Sequence, residues 1–312
     1  MNHIRKISLF VLGLLMAVAC VSQSPLPKVV SGKIERIENF TSDYVTARNV
    51  DIWLPDSYSK AKKYAVLYMH DGQMLYDAEQ GWNKQSWDVD DTASKLMSEG
   101  KVKDFIVVGI WNGGVTRHPD YFPQKPLESL SKVELDTVTA QLVKAQIIKS
   151  PPFATQSDNY LKFLTKELKP YIDQNYSVHT DRSNTYVMGS SMGGLISMYA
   201  ICEYPDIFGT AACLSTHWPG TFVLENNPVP AAFIQYLKDN LPDPNSHRIY
   251  FDCGDQTLDA LYPDIQRKVD QVMFDKGYSK ANWTTEYFPG QAHTEDAWKV
   301  RLRIPLEYML GK

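Results

Sequence analysis

One short segment of the sequence contains a serine whose neighbours suit it for nucleophilic catalysis. In GSSMG, residues 189–193, the pattern Gly-x-Ser-x-Gly is satisfied with Ser191 at its centre. Ser190 does not satisfy it, because Met188 and Met192 stand two residues to either side. A sharp turn from a strand into a helix brings the outer residues of the pattern together, so both must be small. The pattern therefore predicts that Ser191 has strained backbone and an exposed hydroxyl.

A serine hydroxyl becomes a good nucleophile only when a nearby base takes its proton. Among the 7 histidines, His293 in FPGQAHTEDAW lies between the last strand candidate and the last helix candidate. Hydrolases with such a serine turn order their catalytic residues as serine, acid and histidine, with the histidine in a late loop. We therefore expect His293 to be the base. His217, in LSTHWPG, is the reserve candidate and is better suited to line the substrate pocket.

The acid that orients this histidine should follow the strand candidate RIYFDCG. The loop there, DCGDQTLDALYP, contains Asp252, Asp255 and Asp259. Asp252 falls inside the strand pattern, Asp255 directly follows a glycine, and Asp259 lies where the loop enters the next helix. We favour Asp259 and keep Asp255 as the alternative. The carboxylate that is not catalytic would stabilise a turn or cap a helix.

Acyl transfer also requires two donors for the negative oxygen that forms on the substrate. The residue after the nucleophile usually supplies one, which predicts the backbone N–H of Met192. The second should come from the loop after an early strand, and YMHDGQMLYD is that loop. Gly72 allows the chain to turn tightly there. We choose Gln73 as the second donor, with a simple turn as the alternative interpretation of this loop.

These residues can meet only on a scaffold that gathers the ends of several strands. Short apolar, β-branched runs recur and are the strand candidates: VDIWLP, YAVLYMH, FIVVGI, NTYVMGS, GTAACLS, RIYFDCG and WTTEYFPG. Their nearly continuous hydrophobicity indicates strands that are covered on both faces. Helix candidates separate them, which predicts an α/β fold with a mostly parallel central sheet and helices on both faces.

Two of the helix candidates have distinctive features. DNYLKFLTKELKPYIDQNY carries an apolar stripe at helical spacing, formed by Leu161, Leu164, Leu168 and Ile172, and such a stripe predicts one buried face. TEDAWKVRLRIPLEYML closes the chain. We expect it to be kinked or interrupted at Pro305, because proline lacks a backbone donor and clashes with the preceding turn.

The segment from Asn112 to about Ser157 interrupts the alternation of strands and helices, because it has little strand signal. A loop of this length in a compact domain is usually a lid or a binding loop. We therefore expect a lid-like excursion around residues 112–157 that passes over the end of the sheet and shapes the substrate pocket.

Large side chains near the expected pocket suggest substrate contacts. The tryptophans in or near the loops over the serine are Trp82, Trp87, Trp111 and Trp218. Since most tryptophans pack in cores, we expect at most two to line the site, and we select Trp111 and Trp218 together with His217. Aromatic faces there would suit a sugar or a phenolic acyl group. Arg117 either meets an anionic substrate group or is a solvated charge of the lid.

The first residues read as an export signal rather than as part of the fold. A basic head, MNHIRK, precedes the apolar run ISLFVLGLLMAVA, which is too short to span a bilayer comfortably, and Cys20 follows. Residues 1–19 are thus predicted to be a signal peptide and residues 20–32 a tether. AVAC favours a lipoprotein anchored through Cys20 in the cell envelope. Ordinary cleavage after AVA, which gives a periplasmic or secreted protein, is the alternative.

Composition excludes several other classes of protein. The net charge of -4 over 312 residues gives no electrostatic reason to bind nucleic acid, and membrane contact is expected only through the Cys20 anchor. The cysteines Cys202, Cys213 and Cys253 are odd in number, so at least one is unpaired, and we expect buried thiols. Since no CxxC, HExxH or other metal-ligand spacing occurs, we expect no metal site.

Several blocks together resemble the putative esterase family, also called the esterase D-like family, of the α/β-hydrolase superfamily. They are LYMHDGQMLYD, YLKFLTKELKPYID, NTYVMGSSMGGLISMYA, STHW, TLDALY and AHTEDAW. The resemblance covers residues 33–312 and implies one α/β-hydrolase domain that hydrolyses carboxylic esters without a metal or organic cofactor. Relatives include feruloyl, acetylxylan and siderophore trilactone esterases, S-formylglutathione hydrolases and mycolyltransferases. By resemblance Ser191 and His293 are catalytic. The TLDA block favours Asp259, whereas some relatives place the acid nearer the glycine, at Asp255.

The sequence therefore predicts an exported serine carboxylesterase that acts through an acyl-enzyme on a small-molecule or glycan ester, such as a phenolic or siderophore ester. An acyltransferase of the same fold is one alternative. A non-catalytic binding lipoprotein on the cell surface is the other, because a fold does not guarantee an activity.

Overall fold

A central sheet of eight strands organises the protein in the computed structural model, which describes residues 24–312. The strand order is β1-β2-β4-β3-β5-β6-β7-β8. Pairing is antiparallel from β1 to β2 and from β2 to β4, and parallel in the rest of the sheet. The strands are β1 Lys33–Phe40, β2 Arg48–Leu54, β3 Ala65–His70, β4 Phe105–Ile110, β5 Thr185–Ser190, β6 Thr210–Leu214, β7 Arg248–Cys253 and β8 Trp283–Tyr287.

The sheet separates two apolar cores, as the sequence predicts for strands covered on both faces. Along β3, Val66 and Tyr68 belong to one core, while Leu67 and Met69 belong to the other, since alternate strand residues point to opposite faces. The helices are α1 Val89–Ser98, α2 Arg117–Tyr121, α3 Gln124–Glu128, α4 Lys132–Lys144, α5 Ser157–Lys162, α6 Lys169–Asn175, α7 Met192–Glu203, α8 Val229–Asn240, α9 Pro263–Asp275, α10 Glu295–Arg301 and α11 Arg303–Leu310. The predicted α/β architecture is confirmed.

The apolar stripe predicted between residues 157 and 175 is buried as expected. Leu161, Leu164, Leu168 and Ile172 are all 0% exposed. The helix is not uniform, because a π-helical turn at Phe163–Leu168 separates α5 from α6. Pro170 stands in the first turn of α6, where it cannot donate to the carbonyl four residues earlier. The wider π turn accommodates the missing bond.

The last helix candidate is interrupted, as predicted, but three residues before the proline. Helix α10 ends at Arg301, and α11 begins at Arg303 with Pro305 in its first turn. Proline is tolerated in the first turn because the N–H it lacks would have no intrahelical partner there. The helix therefore restarts ahead of Pro305, and the interruption lies at Leu302.

Strand β1 is absent from the strand candidates of the sequence. Its residues KIERIENF are half-buried or exposed, because it lies at the edge of the sheet and is not sandwiched by helices. The three described cysteines are all free and buried, in agreement with prediction. Within residues 24–312, none of the helices has the length and apolar character that a membrane span requires.

The predictions for the amino terminus fall largely outside the described residues. The proposed signal peptide and Cys20 lie there entirely, whereas the tether is described from Ser24 onward. That part has no helix or strand up to Gly32 but is held on the domain. The backbone N–H of Lys28 donates to Asp77 at 3.0 Å, and that of Val30 to Asp90 at 2.6 Å.

Candidate active site

The turn between β5 and α7 holds Ser191 in strained backbone. Its φ of 58° and ψ of -121° are rare for a residue with a side chain. Helix α7 begins at the next residue, and the N–H of Ser191 donates to the carbonyl of Leu214 at 2.9 Å. A Cβ on Gly189 would lie 2.8 Å from the carbonyl carbon of Gly193, so the first glycine is a steric requirement. A Cβ on Gly193 would lie 3.4 Å from His70 Cβ, which is close but tolerable.

This asymmetry predicts unequal effects of alanine at the two glycines. Gly189→Ala should destabilise the fold by about 1–3 kcal/mol and reduce turnover, because its new methyl group overlaps backbone that cannot move independently. Gly193→Ala is the matched control, and we expect a smaller loss of stability. Thermal unfolding of both variants measures the difference. Equal melting temperatures would contradict the described turn.

His293 and Asp259 form a close pair at the carboxyl edge of the sheet. Nδ1 of His293 lies 2.6 Å from Oδ1 of Asp259, so the ring donates from Nδ1 and leaves the lone pair of Nε2 available. The other carboxylate oxygen accepts from the N–H of Gly254 at 2.6 Å and from the hydroxyl of Ser215 at 2.7 Å. Asp259 is 0% exposed. Its carboxylate is therefore fixed from both sides and oriented towards the imidazole.

Asp255, the alternative acid, has different neighbours. It is half-buried, and its carboxylate accepts from the backbone N–H of Gly290 at 2.7 Å and from the Gln256 side chain at 2.8 Å. These hydrogen bonds, with that of Gln256 the largest effect, lower the pKa of Asp255. The structure brings His293 to Asp259, and Asp255 stabilises the neighbouring turn.

A second buried ion pair supports the acid. Arg301 donates to Asp252 at 2.8 Å and to the hydroxyl of Ser215 at 2.8 Å, and Ser215 in turn contacts Asp259. The indole N–H of Trp298 also donates to Ser215, at 2.9 Å. Burial raises the pKa of Asp252 to about 6, with the charge of Arg301 opposing the shift. Asp252 thus supports Asp259 indirectly, through Arg301 and Ser215, and does not contact His293.

Tyr262 lies next to three of the candidate residues, Ser191, His217 and His293. Its hydroxyl lies close to the side chain of Ser191 and 2.8 Å from Nδ1 of His217. Its ring packs edge-on against His293, with centroids 5.7 Å apart. Ser191 and His293 therefore share Tyr262 as a neighbour. Burial, with the charge of His293 next, lowers the pKa of His217 well below its usual value, so His217 is a neutral ring.

A cavity of about 270 Å³ opens in front of Ser191. Its walls are formed by Gly114, Val115, Arg117, His118, Gln146, Ile147, Ser191, Met192, His217, Phe222 and Leu258. The first six belong to the segment around residues 112–157, which forms helices α2 to α4. Burial lowers the pKa of His118 to about 3, and the charge of Arg117 adds to that effect. Apart from Arg117, the cavity is therefore bordered by uncharged groups, among them neutral imidazoles.

Arg117 lines this cavity without being a free cation. Its Nε and one terminal nitrogen donate to the two oxygens of Asp71, at 2.7 and 2.8 Å. Asn112 donates to the same carboxylate at 2.6 Å. Burial alone would raise the pKa of Asp71, but Arg117 and Asn112 hold it below its ordinary value. A bidentate pair neutralises the charge, so the lid arginine is an ion-paired group, although its side chain remains 26% exposed.

Of the two backbone positions chosen for the oxyanion, Met192 lines this cavity, whereas Gln73 is not among the residues of its walls. Met192 is the first residue of α7, and the first N–H groups of a helix have no intrahelical partner. Gln73 lies in a 3₁₀ turn at Gly72–Met74, and its Oε1 accepts from the N–H of Asn112 at 3.2 Å. A Cβ on Gly72 would lie 2.5 Å from the carbonyl carbon of Gly109, so this loop packs directly on β4.

The selected tryptophans do not line the cavity. Trp218 is 0% exposed and donates to Gln266 at 2.8 Å. The expectation that it contacts substrate is therefore wrong, because its side chain is packed in the core. The indole N–H of Trp111 donates to Asp51 at 2.8 Å under the guanidinium of Arg36, which ties it to the antiparallel edge of the sheet. His217, selected with them, does line the cavity.

Sequence reasoning missed the groups that hold the triad candidates in place. They are Ser215, Tyr262, Trp298 and Arg301. None of them has a local signature, because each acts through contacts made only in the folded chain. No cluster of three or more potential metal ligands occurs within residues 24–312.

Comparison with known proteins identifies the family. The putative esterase family model matches residues 43–303. The chain belongs to this family. It is a carboxylic ester hydrolase of the α/β-hydrolase fold.

Relatives of this esterase carry more specific names. It is 24% identical over 278 residues to an endo-1,4-beta-xylanase/feruloyl esterase of Xylanibacter ruminicola, covering 86% of this chain but 30% of that protein. A ferulic acid esterase structure aligns with a TM-score of 0.61 at 21% identity, covering 90% of this chain and 98% of that one. The enterobactin esterase FES from Shigella flexneri aligns with a TM-score of 0.61 at 16% identity, covering 91% and 60%. At these identities the two structures support the fold alone.

Proposed function

We propose that this esterase acts through a Ser191–His293–Asp259 triad. The observation that carries the proposal is the 2.6 Å contact between His293 Nδ1 and the buried Asp259 carboxylate, beside a serine in the strained turn of a nucleophile. Strain at a single non-glycine residue persists where the surrounding fold enforces it, and such residues cluster at active sites.

In the proposed mechanism Ser191 Oγ attacks the ester carbonyl while His293 Nε2 takes its proton. The negative oxygen is stabilised by the backbone N–H groups of Met192 and Gln73. The tetrahedral intermediate then collapses, and the alcohol leaves with the proton held on Nε2. Water attacks the acyl-enzyme by the same route and releases the acid and free Ser191. Asp259 stabilises the charged ring without taking its proton.

We further propose that the acyl group is aromatic and uncharged. The cavity in front of Ser191 presents Met192, Phe222 and Leu258 as apolar walls, and Arg117 is neutralised by Asp71. An anionic acyl group would find no unpaired cation there. A feruloyl-type ester fits this surface, in keeping with the feruloyl esterase names of two relatives. A siderophore-type catechol ester is the second candidate, favoured by the fold shared with an enterobactin esterase.

A fluorophosphonate probe tests the nucleophile directly. We expect one covalent adduct per chain, on Ser191, located by mass spectrometry of the digested protein. A binding protein without an activated serine would remain unlabelled, and that outcome would contradict the proposal. Comparing kcat/KM for methyl ferulate with that for methyl acetate tests the cavity, and we expect the aromatic ester to be preferred. Transfer of the acyl group to a sugar in place of water would identify an acyltransferase.

We also propose that the protein is exported through residues 1–19, with Cys20 as the first residue of the mature chain. The basic head followed by an apolar run supports export. The mass of the mature amino-terminal peptide tests this, since a lipidated Cys20 is heavier than a free one by the mass of its acyl chains.

A further inference from the structure

A second cavity, which we call the basal pocket, lies at the edge of the sheet opposite Ser191. It has a volume of about 510 Å³ and is lined near the amino ends of the parallel strands by Tyr186, Thr210 and Arg248. Helix α11 contributes Met309 to its wall. The residues proposed to act on the ester are not among those that line it.

Two cationic side chains line the basal pocket without an ionic partner. Within residues 24–312, neither Lys103 nor Arg248 forms an ion pair. Lys103 Nζ donates to the Tyr186 hydroxyl at 2.6 Å and to Asn184 Oδ1 at 3.0 Å, which are both neutral groups. The guanidinium of Arg248 lies 4.4 Å over the ring of Tyr308, and its Nε is buried with no hydrogen-bond partner among the described residues.

The two positive charges act on each other at this site. Burial lowers the pKa of Lys103, Asp181 opposes that effect, and Arg248 adds to it. Asp181 is hydrogen-bonded to Ser183 and Asn184 rather than to either cation. A part-buried pair of like charges is unfavourable unless an anion neutralises it.

We propose that the basal pocket binds a phosphate group. A divalent anion neutralises both Lys103 and Arg248, whereas a monovalent carboxylate would neutralise only one. Lys103 has three donors, of which two are used, so one remains for the ligand. The unpaired Nε of Arg248 belongs to a planar fork that matches phosphate oxygens. Free phosphate and a phosphomonoester share this chemistry, and the bound group would join β7 to the segment before β4.

Thermal unfolding in the presence of phosphate tests the proposal. Inorganic phosphate and glucose 6-phosphate are compared with potassium chloride at the same ionic strength and pH. We expect both phosphates to raise the melting temperature of the wild-type protein by about 2 °C or more at saturating concentration. A larger shift with glucose 6-phosphate would identify a phosphomonoester as the ligand, and an equal shift would identify the phosphate ion.

Four variants assign the effect to this pocket. Arg248→Gln and Lys103→Gln should abolish the shift, whereas Lys280→Gln, which removes an exposed lysine nearby, should retain it. Ester hydrolysis by each variant shows that it is folded. Arg248→Lys keeps the charge but loses the fork, so it should show a reduced shift even if Arg248→Gln does not fold. The proposal would be overturned if phosphate raised the melting temperature of every variant equally. It would also be overturned if phosphate raised that of the wild-type protein no more than potassium chloride does.

Discussion

Replacing Ser191 by alanine should lower kcat for ester hydrolysis by about four to six orders of magnitude. The proposed mechanism makes Ser191 Oγ the atom that bonds the acyl group, and a methyl group cannot replace it. The remaining rate over water would come from the oxyanion donors and from substrate binding. Hydrolysis of methyl ferulate at high enzyme concentration measures the loss, and circular dichroism with thermal unfolding shows whether the fold is retained.

Ser190 supplies the matched control for this experiment. It is the preceding residue, also a serine, and is 6% exposed at the end of β5. Ser190→Ala removes the same hydroxyl from a residue that does not line the cavity, so we expect kcat to be largely retained. If Ser190→Ala were inactive and Ser191→Ala active, the nucleophile would be Ser190 and the triad proposed here would be wrong.

The strands of the interior could be predicted from the sequence because burial on both faces leaves a continuous apolar run. All residues of β3, β4 and β5 are buried, and the runs YAVLYMH, FIVVGI and NTYVMGS contain them. Strand β1 could not be predicted in this way, because an edge strand keeps polar and charged residues on its open sides. Sequence patterns thus predict the buried strands of this sheet more readily than β1, although the candidate WTTEYFPG does contain the other edge strand, β8.

The serine turn was also within reach of sequence analysis, since its requirement is local. Only a small residue fits at position 189, because its Cβ would overlap the backbone of the residue four positions later. The partners of other groups depend on distant parts of the chain. Arg117 is neutralised by Asp71, which is 46 residues earlier, and the composition of its own segment cannot show this. Trp218 likewise has the residue type of a substrate contact but is enclosed by Phe233 and Phe251.

Local sequence also could not decide between Asp255 and Asp259, although both lie in a single loop. Both carboxylates follow β7, and either could reach a histidine in an extended loop. A 3₁₀ turn at Thr257–Leu261 instead directs Asp259 inward and leaves Asp255 outside. The resemblance of the TLDA block to the family favours Asp259. The spacing of the two carboxylates along the chain does not by itself distinguish them.

Asp259→Asn should lower kcat by about four orders of magnitude with little change in structure. Oδ2 of Asp259 accepts from Gly254 N–H and Ser215 Oγ, so the amide oxygen of the asparagine must face these donors. Its NH₂ group then points at Nδ1 of His293. The ring must accept there and carry its proton on Nε2, where the base needs a lone pair. The substitution therefore removes a negative charge and also holds His293 in the tautomer that cannot accept the serine proton at Nε2.

Asp255→Asn is the matched control, because it makes the same chemical change in the same loop. Asp255 is half-buried, and its carboxylate is bonded to the turn at Gly290 rather than to His293, so we expect kcat to stay close to that of the wild-type enzyme. Steady-state hydrolysis of methyl ferulate by both variants measures the contrast, and thermal unfolding excludes a folding defect. Loss of activity in Asp255→Asn with retention in Asp259→Asn would identify the other carboxylate as the acid. The contact at His293 Nδ1 would then be structural, and the base would have to be oriented by a different arrangement of this loop.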